Sequence, residues 1–212
     1  MYKLYCRVGA GSVAVEALLA ELGVAAELID VPRQPDNSIP AWFKAINPRG
    51  EIPALVLPNG EVMTESAAIM IYLADLHSDR GLAPPTDDPL RVPYLRWMVF
   101  LAAAPYMTDL RMYYPERFST DTNHAVGIKA KAITDLNRDF DQFTAALGAG
   151  PFILGKQFSA ADIYAAMLLS WSEDVDALFK RQPKLKQLYD TVVVRPAIAT
   201  VWTRNGMAAG EA

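Results

Sequence analysis

The chain has 212 residues, 52% hydrophobic and 21% charged, with a net charge of −4 at pH 7. This is enough for two small folded units, and too acidic to offer the broad basic face that nucleic-acid binding requires. One cysteine, Cys6, excludes an internal disulfide, and with only His77 and His124 beside it the chain has a poor ligand set for zinc, so no metal is expected. The chain opens on MYKLY without a basic and then apolar leader, and its longest greasy run, WMVFLAAAPYM, is too short to span a bilayer. The expectation is a cytoplasmic protein with no membrane partner.

The run YKLYCRV reads as a strand, and Val15, Leu18, Leu19 and Leu22 follow at helical spacing, with Gly23 placed to close that helix in a left-handed cap. A second strand, AAELIDV, ends at Asp30. After a loop containing Pro and Asp, Ser38 is expected to cap a short helix through Trp42, Phe43 and Ile46, stopped by Asn47-Pro48 because a proline disfavours helical geometry in the residue before it. IPALVL, PNG and EVMT then read as a hairpin, since Asn59-Gly60 accepts the positive φ of tight turns. Ile69, Tyr72, Leu73 and Leu76 give a third helix over 65–77. The order is βαβαββα over residues 1–78.

Within the first turn lies Gly9-x-Gly11-x-x-Ala14, with Asp30 about 20 residues on, as in dinucleotide-binding folds. Such folds need further parallel βαβ units, whereas this sheet ends in a hairpin, so no nucleotide is expected. The glycines are read instead as allowing a sharp strand-to-helix turn with exposed backbone.

Residues 79–89, DRGLAPPTDDP, lack periodicity and form a linker. Beyond it, 90–212 reads as all-helical: 90–114 with a kink at Pro105, then 123–147, 159–171, 174–180, 183–192 and 196–204. Ser159 and Asp162 stand in a capping-box spacing, flanked by Phe158 and Ile163 as a hydrophobic staple.

Three motifs carry a resemblance. Asn47-Pro48-Arg49-Gly50-Glu51-Ile52-Pro53, Thr64-Glu65-Ser66-Ala67-Ala68-Ile69 and Phe158-Ser159-Ala160-Ala161-Asp162 occur in that order. With the element order, they make the chain resemble the cytosolic glutathione transferase family, bacterial type, over essentially its whole length. The resemblance implies an α/β thioredoxin-like N-terminal domain followed by an all-α domain, a homodimer, and glutathione as co-substrate. Some relatives carry a cysteine in the first turn where this chain has Gly11.

The implied roles have physical reasons. A cis bond before Pro53 would turn Ile52's N–H and C=O outward, where an extended peptide pairs with them like an added strand. Ser66 and its neighbouring N–H groups, at a helix N-terminus, suit a γ-glutamyl carboxylate, and Glu65 the accompanying ammonium. A thiol of pKa about 8.5 lowered by about two units needs about 2.7 kcal/mol of differential stabilisation, and a hydrogen bond to a charged group contributes about 1.5–3. Ser12 in the first turn is the first candidate to supply it, and Tyr5 the second. Ser12 also fits a plain N-cap, and Cys6 a buried filler on the first strand. For the glycyl carboxylate the cations Arg7, Arg33, Lys44, Arg49 and Arg111 are open, Arg49 lying inside the first motif. The electrophile is expected between the domains, against Tyr106, Met107, Thr108, Tyr113 and Tyr114. Conjugation to a small apolar or aromatic electrophile is the leading reading. The alternatives are glutathione-dependent reduction of disulfides or peroxides, and a non-catalytic interaction protein of the same fold.

Overall fold

Alternation along the first strand sets the frame of the N-terminal unit. In the computed structural model, which describes residues 1–34 and 38–207, β1 (Tyr2–Cys6) buries Tyr2, Leu4 and Cys6 on one face and turns Lys3 and Tyr5 to the other. It pairs in parallel with β2 (Ala26–Asp30) and antiparallel with β3 (Ala54–Val56), which pairs with β4 (Val62–Met63), giving the order β2-β1-β3-β4. The hairpin turn closes with Gly60 at φ 89° and its N–H on the Leu57 carbonyl at 2.9 Å.

The helix α1 (Ser12–Leu22) ends as expected on Gly23, at φ 69°, whose N–H reaches the carbonyls of Ala20 and Leu19. Val13, Ala14 and Ala17 are buried along with the predicted apolar stripe, because α3 (Ser66–Leu76) and the late helix α10 (Pro196–Arg204) both pack on α1. The short α2 (Ala41–Lys44) starts from Pro40, whose carbonyl accepts from Phe43 and Lys44; Ser38 lies two residues upstream of this cap position and does not cap it. Part of the Pro- and Asp-containing loop before it, 35–37, is outside the described residues.

The chain divides into two compact units, Met1–Asp88 together with the chain from Asp190, and Pro89–Tyr189. At the other end the chain returns, so that α10, read from sequence as a tail of the helical half, belongs to the unit containing the sheet. Its Trp202 is fully buried there, and its Arg204 pairs at 2.6 Å with the buried Glu16 of α1.

The helical unit opens with α4 (Arg91–Ala103) and α5 (Pro105–Tyr113). The expected kink is a full break at Ala104, and Pro105, which has no N–H to donate, starts a new helix at its first position. Next comes α6 (Ala125–Ala146), which buries Ala132, Asp135, Leu136, Asp139, Phe140 and Phe143, one stripe of helical period. After it follow α7 (Ala160–Leu169), α8 (Val175–Arg181) and α9 (Pro183–Val193), whose residues from Asp190 on belong to the first unit. Trp97 of α4 sits edge-on to Phe143 at 5.0 Å, both buried in this unit. The Ser159–Asp162 capping box forms, and Asp162 additionally accepts from the Ile153 N–H at 2.7 Å. Phe158 packs its ring on Phe152 at 5.3 Å.

Candidate functional site

The segment before β3 is built around Asn47. Its side-chain amide donates to the Glu51 carbonyl at 2.6 Å, its side-chain oxygen accepts from the Arg49 N–H at 3.2 Å, and its own carbonyl accepts from Gly50, at φ 67°. This buried carboxamide replaces the regular pairing that the loop lacks, and it delivers the chain to Ile52-Pro53, whose peptide bond is cis. Among the described residues, neither the N–H nor the C=O of Ile52 bonds to another backbone group. The side chain of Ile52 packs on the cluster of Val31, Phe43 and Ala54. Two unspent backbone groups are therefore held at a fixed place beyond the end of β3, where an extended peptide can take them up. The sequence assigned a site role to Ile52 and Pro53; Asn47 entered only as the start of the first motif and as the residue before a proline.

Glu65 stands at the N-cap of α3 with φ 65° and ψ 104°, a positive φ that a non-glycine residue seldom adopts. Its carbonyl accepts the first helical bond, from Ile69 at 2.9 Å, while its side chain stays exposed. Such strain, of order 1–3 kcal/mol, is kept where the surroundings dictate it, commonly at ligand contacts. Ser66, buried, opens the helix beside the positive end of its dipole. An exposed carboxylate next to the N–H groups of a helix N-terminus has the polarity to meet an ammonium and a carboxylate on one carbon.

In the first turn the structure ties Ser12 inward. Its Oγ accepts from the Arg7 N–H at 3.1 Å and donates to the Arg7 carbonyl at 3.2 Å, and the residue is buried. The N-cap of α1 is Gly11, so Ser12 occupies the first helical position and not the cap. Tyr5 lies on the face of β1 away from Cys6, its ring 5.5 Å from Phe43 and 6.2 Å from Trp42. Cys6 is buried, its thiol 3.7 Å from the Ile29 carbonyl, and burial pushes its pKa up. A thiol so placed is a core group and a poor nucleophile.

Arg7, Arg49 and Arg111 among the cation candidates are already engaged. Arg7 donates to the Val31 carbonyl at 2.9 Å, Arg49 forks onto Glu51 at 2.7 and 3.2 Å, and Arg111 reaches Thr108 at 2.8 Å with Asp135 at 4.0 Å. Arg49 is exposed, so its exchange from Glu51 to another carboxylate is a small step energetically.

In the helical unit, Tyr106 and Tyr113 converge on Trp171. The Tyr106 ring is edge-on to the indole at 5.4 Å, and the Tyr113 hydroxyl donates to the Trp171 carbonyl. Met107 is exposed on α5, and Tyr114 carries the Arg117 guanidinium over its ring at 4.0 Å. Of the five predicted residues, Tyr106 and Tyr113 share one partner, while Thr108 is buried and accepts from Arg111. Trp171 was missed because nothing local links position 171 to the first turn of α5.

These features agree with what the chain is similar to. Residues 12–76 match the family model described as glutathione S-transferase, N-terminal domain, and residues 126–192 match the C-terminal domain of the same family. A solved glutathione transferase from Methylococcus capsulatus is 30% identical, superposes with a TM-score of 0.82, and is aligned over 98% of this chain and 100% of its own. The chain belongs to the glutathione S-transferase family. Among other members, the glutathione S-transferase GstA of Escherichia coli O157:H7 is 28% identical over 97% of this chain and 99% of its own. A glutathione transferase homologue from Sulfitobacter, solved with bound glutathione, is 25% identical with a TM-score of 0.86, over 98% of this chain and 99% of its own. Within this glutathione S-transferase, no group of three or more metal-ligating side chains and no helix long and apolar enough to cross a membrane occurs among the described residues.

Proposed function

We propose that this glutathione S-transferase conjugates the thiolate of glutathione to small apolar or aromatic electrophiles. One observation carries the reading: among the described residues, Ile52 keeps its backbone N–H and C=O unpaired with other backbone, in a segment that Asn47 fixes. Glutathione supplies an extended cysteinyl backbone for those groups and a γ-glutamyl end for Glu65 and Ser66. Arg49 takes the glycyl carboxylate by exchange from Glu51.

The thiolate is favoured by the N-terminal turn of α1, where dipole and N–H groups present partial positive charge. Ser12 adds a hydrogen bond when its proton swings from the Arg7 carbonyl to sulfur, and its acceptor bond from Arg7 N–H keeps the oxygen in place meanwhile. Tyr5 is the second donor. Tyr106 and Tyr113, with Met107 and Tyr114, contribute the electrophile contacts from the helical unit, where an aromatic wall stacks on an aromatic co-substrate. A cytoplasmic homodimer completes the proposal, and its oligomeric state is read by sedimentation.

The test is binding followed by product. Glutathione at a hundredfold over its dissociation constant stabilises a one-site binder by about 2.7 kcal/mol, so a rise in Tm of about 5 °C or more is expected. No shift at millimolar glutathione overturns the assignment. With binding established, mass spectrometry of the products separates the reactions: a thioether conjugate is expected, whereas oxidised glutathione alone overturns conjugation in favour of reduction.

A further inference from the structure

The turn between β1 and α1 is held from the far end of the chain. Gly9, at φ 68°, directs its N–H to the side-chain oxygen of Asn205 at 3.2 Å, across 196 positions of sequence. Asn205 follows α10 at its C-cap and is only 4% exposed. Its amide nitrogen donates to the Val201 carbonyl at 2.9 Å and to Glu16 Oε2 at 3.2 Å. Two acceptors on one side and an N–H on the other fix which way the carboxamide points. The same Glu16 oxygen takes Arg204 at 2.6 Å, so the carboxylate that orients Asn205 is itself neutralised.

These bonds have a definite mechanical effect. Ser12 closes the turn locally through both backbone groups of Arg7, and the Ala10 N–H donates to the same Arg7 carbonyl at 3.2 Å, which leaves the Gly9 peptide at the tip of the turn to be placed from outside it. Val8 and Gly9 are exposed, and α1 has no side-chain cap to set the approach of the chain. Among the described residues the Gly9–Asn205 bond is the side-chain tie of this stretch, and it stands two residues before the Gly11 N-cap. A shift of the Gly9 peptide therefore re-aims the first N–H groups of α1.

We propose that Asn205 is a positioning residue for thiol activation, its carboxamide holding the first turn so that the N-terminus of α1 stays aimed at the sulfur of glutathione. This rests on the function proposed above. Asn205 touches neither glutathione nor the electrophile; it acts through Gly9.

The experiment compares Asn205→Ala with Arg195→Ala. Arg195 also ties the α10 end of the chain to α1, through Glu21, but at the opposite end of α1 from the turn. For Asn205→Ala, kcat is expected to fall about tenfold, equivalent to one lost hydrogen bond, while the KM for glutathione changes less than about twofold. The ultraviolet thiolate band of bound glutathione is expected to titrate about one pH unit higher than in the wild type. Arg195→Ala is expected to lower Tm without moving that titration. A thiolate titration unchanged in Asn205→Ala, or displaced equally in Arg195→Ala, overturns the positioning role while leaving the function standing. A wild-type protein whose bound glutathione titrates as in free solution overturns the function, and this role with it.

Discussion

Ser12 and Arg7 form a closed pair: one hydroxyl accepts from the N–H and donates to the C=O of the same residue, at 3.1 and 3.2 Å. The hydroxyl that best fits thiol activation is thus also a clasp on the turn. Ser12→Ala removes both. It is expected to lower kcat for conjugation about tenfold or more and to raise the pKa of bound glutathione, at a stability cost of about 1–2 kcal/mol for two buried bonds. Stopped-flow kinetics, thiolate absorbance and thermal melts read the three effects. Lost stability with an unchanged thiolate titration assigns Ser12 to the clasp alone and transfers activation to Tyr5 or the helix.

Glu65 and Ser66 are expected to act in binding and not in chemistry. Glu65→Gln and Ser66→Ala each remove an interaction that is equal in ground and transition states, so the KM for glutathione should rise about tenfold with kcat within about twofold. Calorimetric titration with glutathione checks the same loss directly. A fall in kcat at constant KM contradicts the placement of these residues on the γ-glutamyl group.

Asp162 is the chief polar support of the helical unit. It accepts from Ile153 N–H, Ser159 N–H and Ser159 Oγ at 2.7–2.9 Å, fully buried. Asp162→Ala strands these donors, each at about 1–3 kcal/mol, and a loss of about 3 kcal/mol or more is expected in denaturant unfolding. Burial drives the carboxyl up to about 7 against the hydrogen bonds that favour its ionised form. With the folded pKa above the unfolded one, the folded state holds the extra proton, and that part of stability is full below about pH 4 and lost as pH rises to about 7. The stability gap between wild type and Asp162→Asn is therefore expected to narrow from pH 4 to 7 and to stay level above it.

Asp109 of α5 is the opposite case. It is 1% exposed, and neither carboxyl oxygen has a hydrogen-bond partner among the described residues, so desolvation pushes its pKa well up. The sign is the same as for Asp162: the contribution is present at acid pH and lost as pH rises. Here no donor offsets the loss. Asp109→Asn, which cannot ionise, is expected to match or exceed wild-type stability at pH 8 and to lose that advantage toward pH 4. Urea unfolding at the two pH values decides it.

Much of this molecule is written in local pattern. The period of Val15, Leu18, Leu19 and Leu22, the Asn59-Gly60 turn, the Ser159–Asp162 cap and the proline stops act over a few residues, where backbone sterics and hydrogen-bond reach leave few alternatives. The order of those elements, with the motifs around Ile52 and Ser66, placed the chain in its family. Other relations had no local cause. The return of α10 to the sheet-bearing unit, the Gly9–Asn205 tie and the grouping of Tyr106 and Tyr113 around Trp171 depend on which surfaces meet after the chain has folded back. Side chains far apart in sequence compete for the same few donors and acceptors, and only packing in three dimensions determines which of them bond.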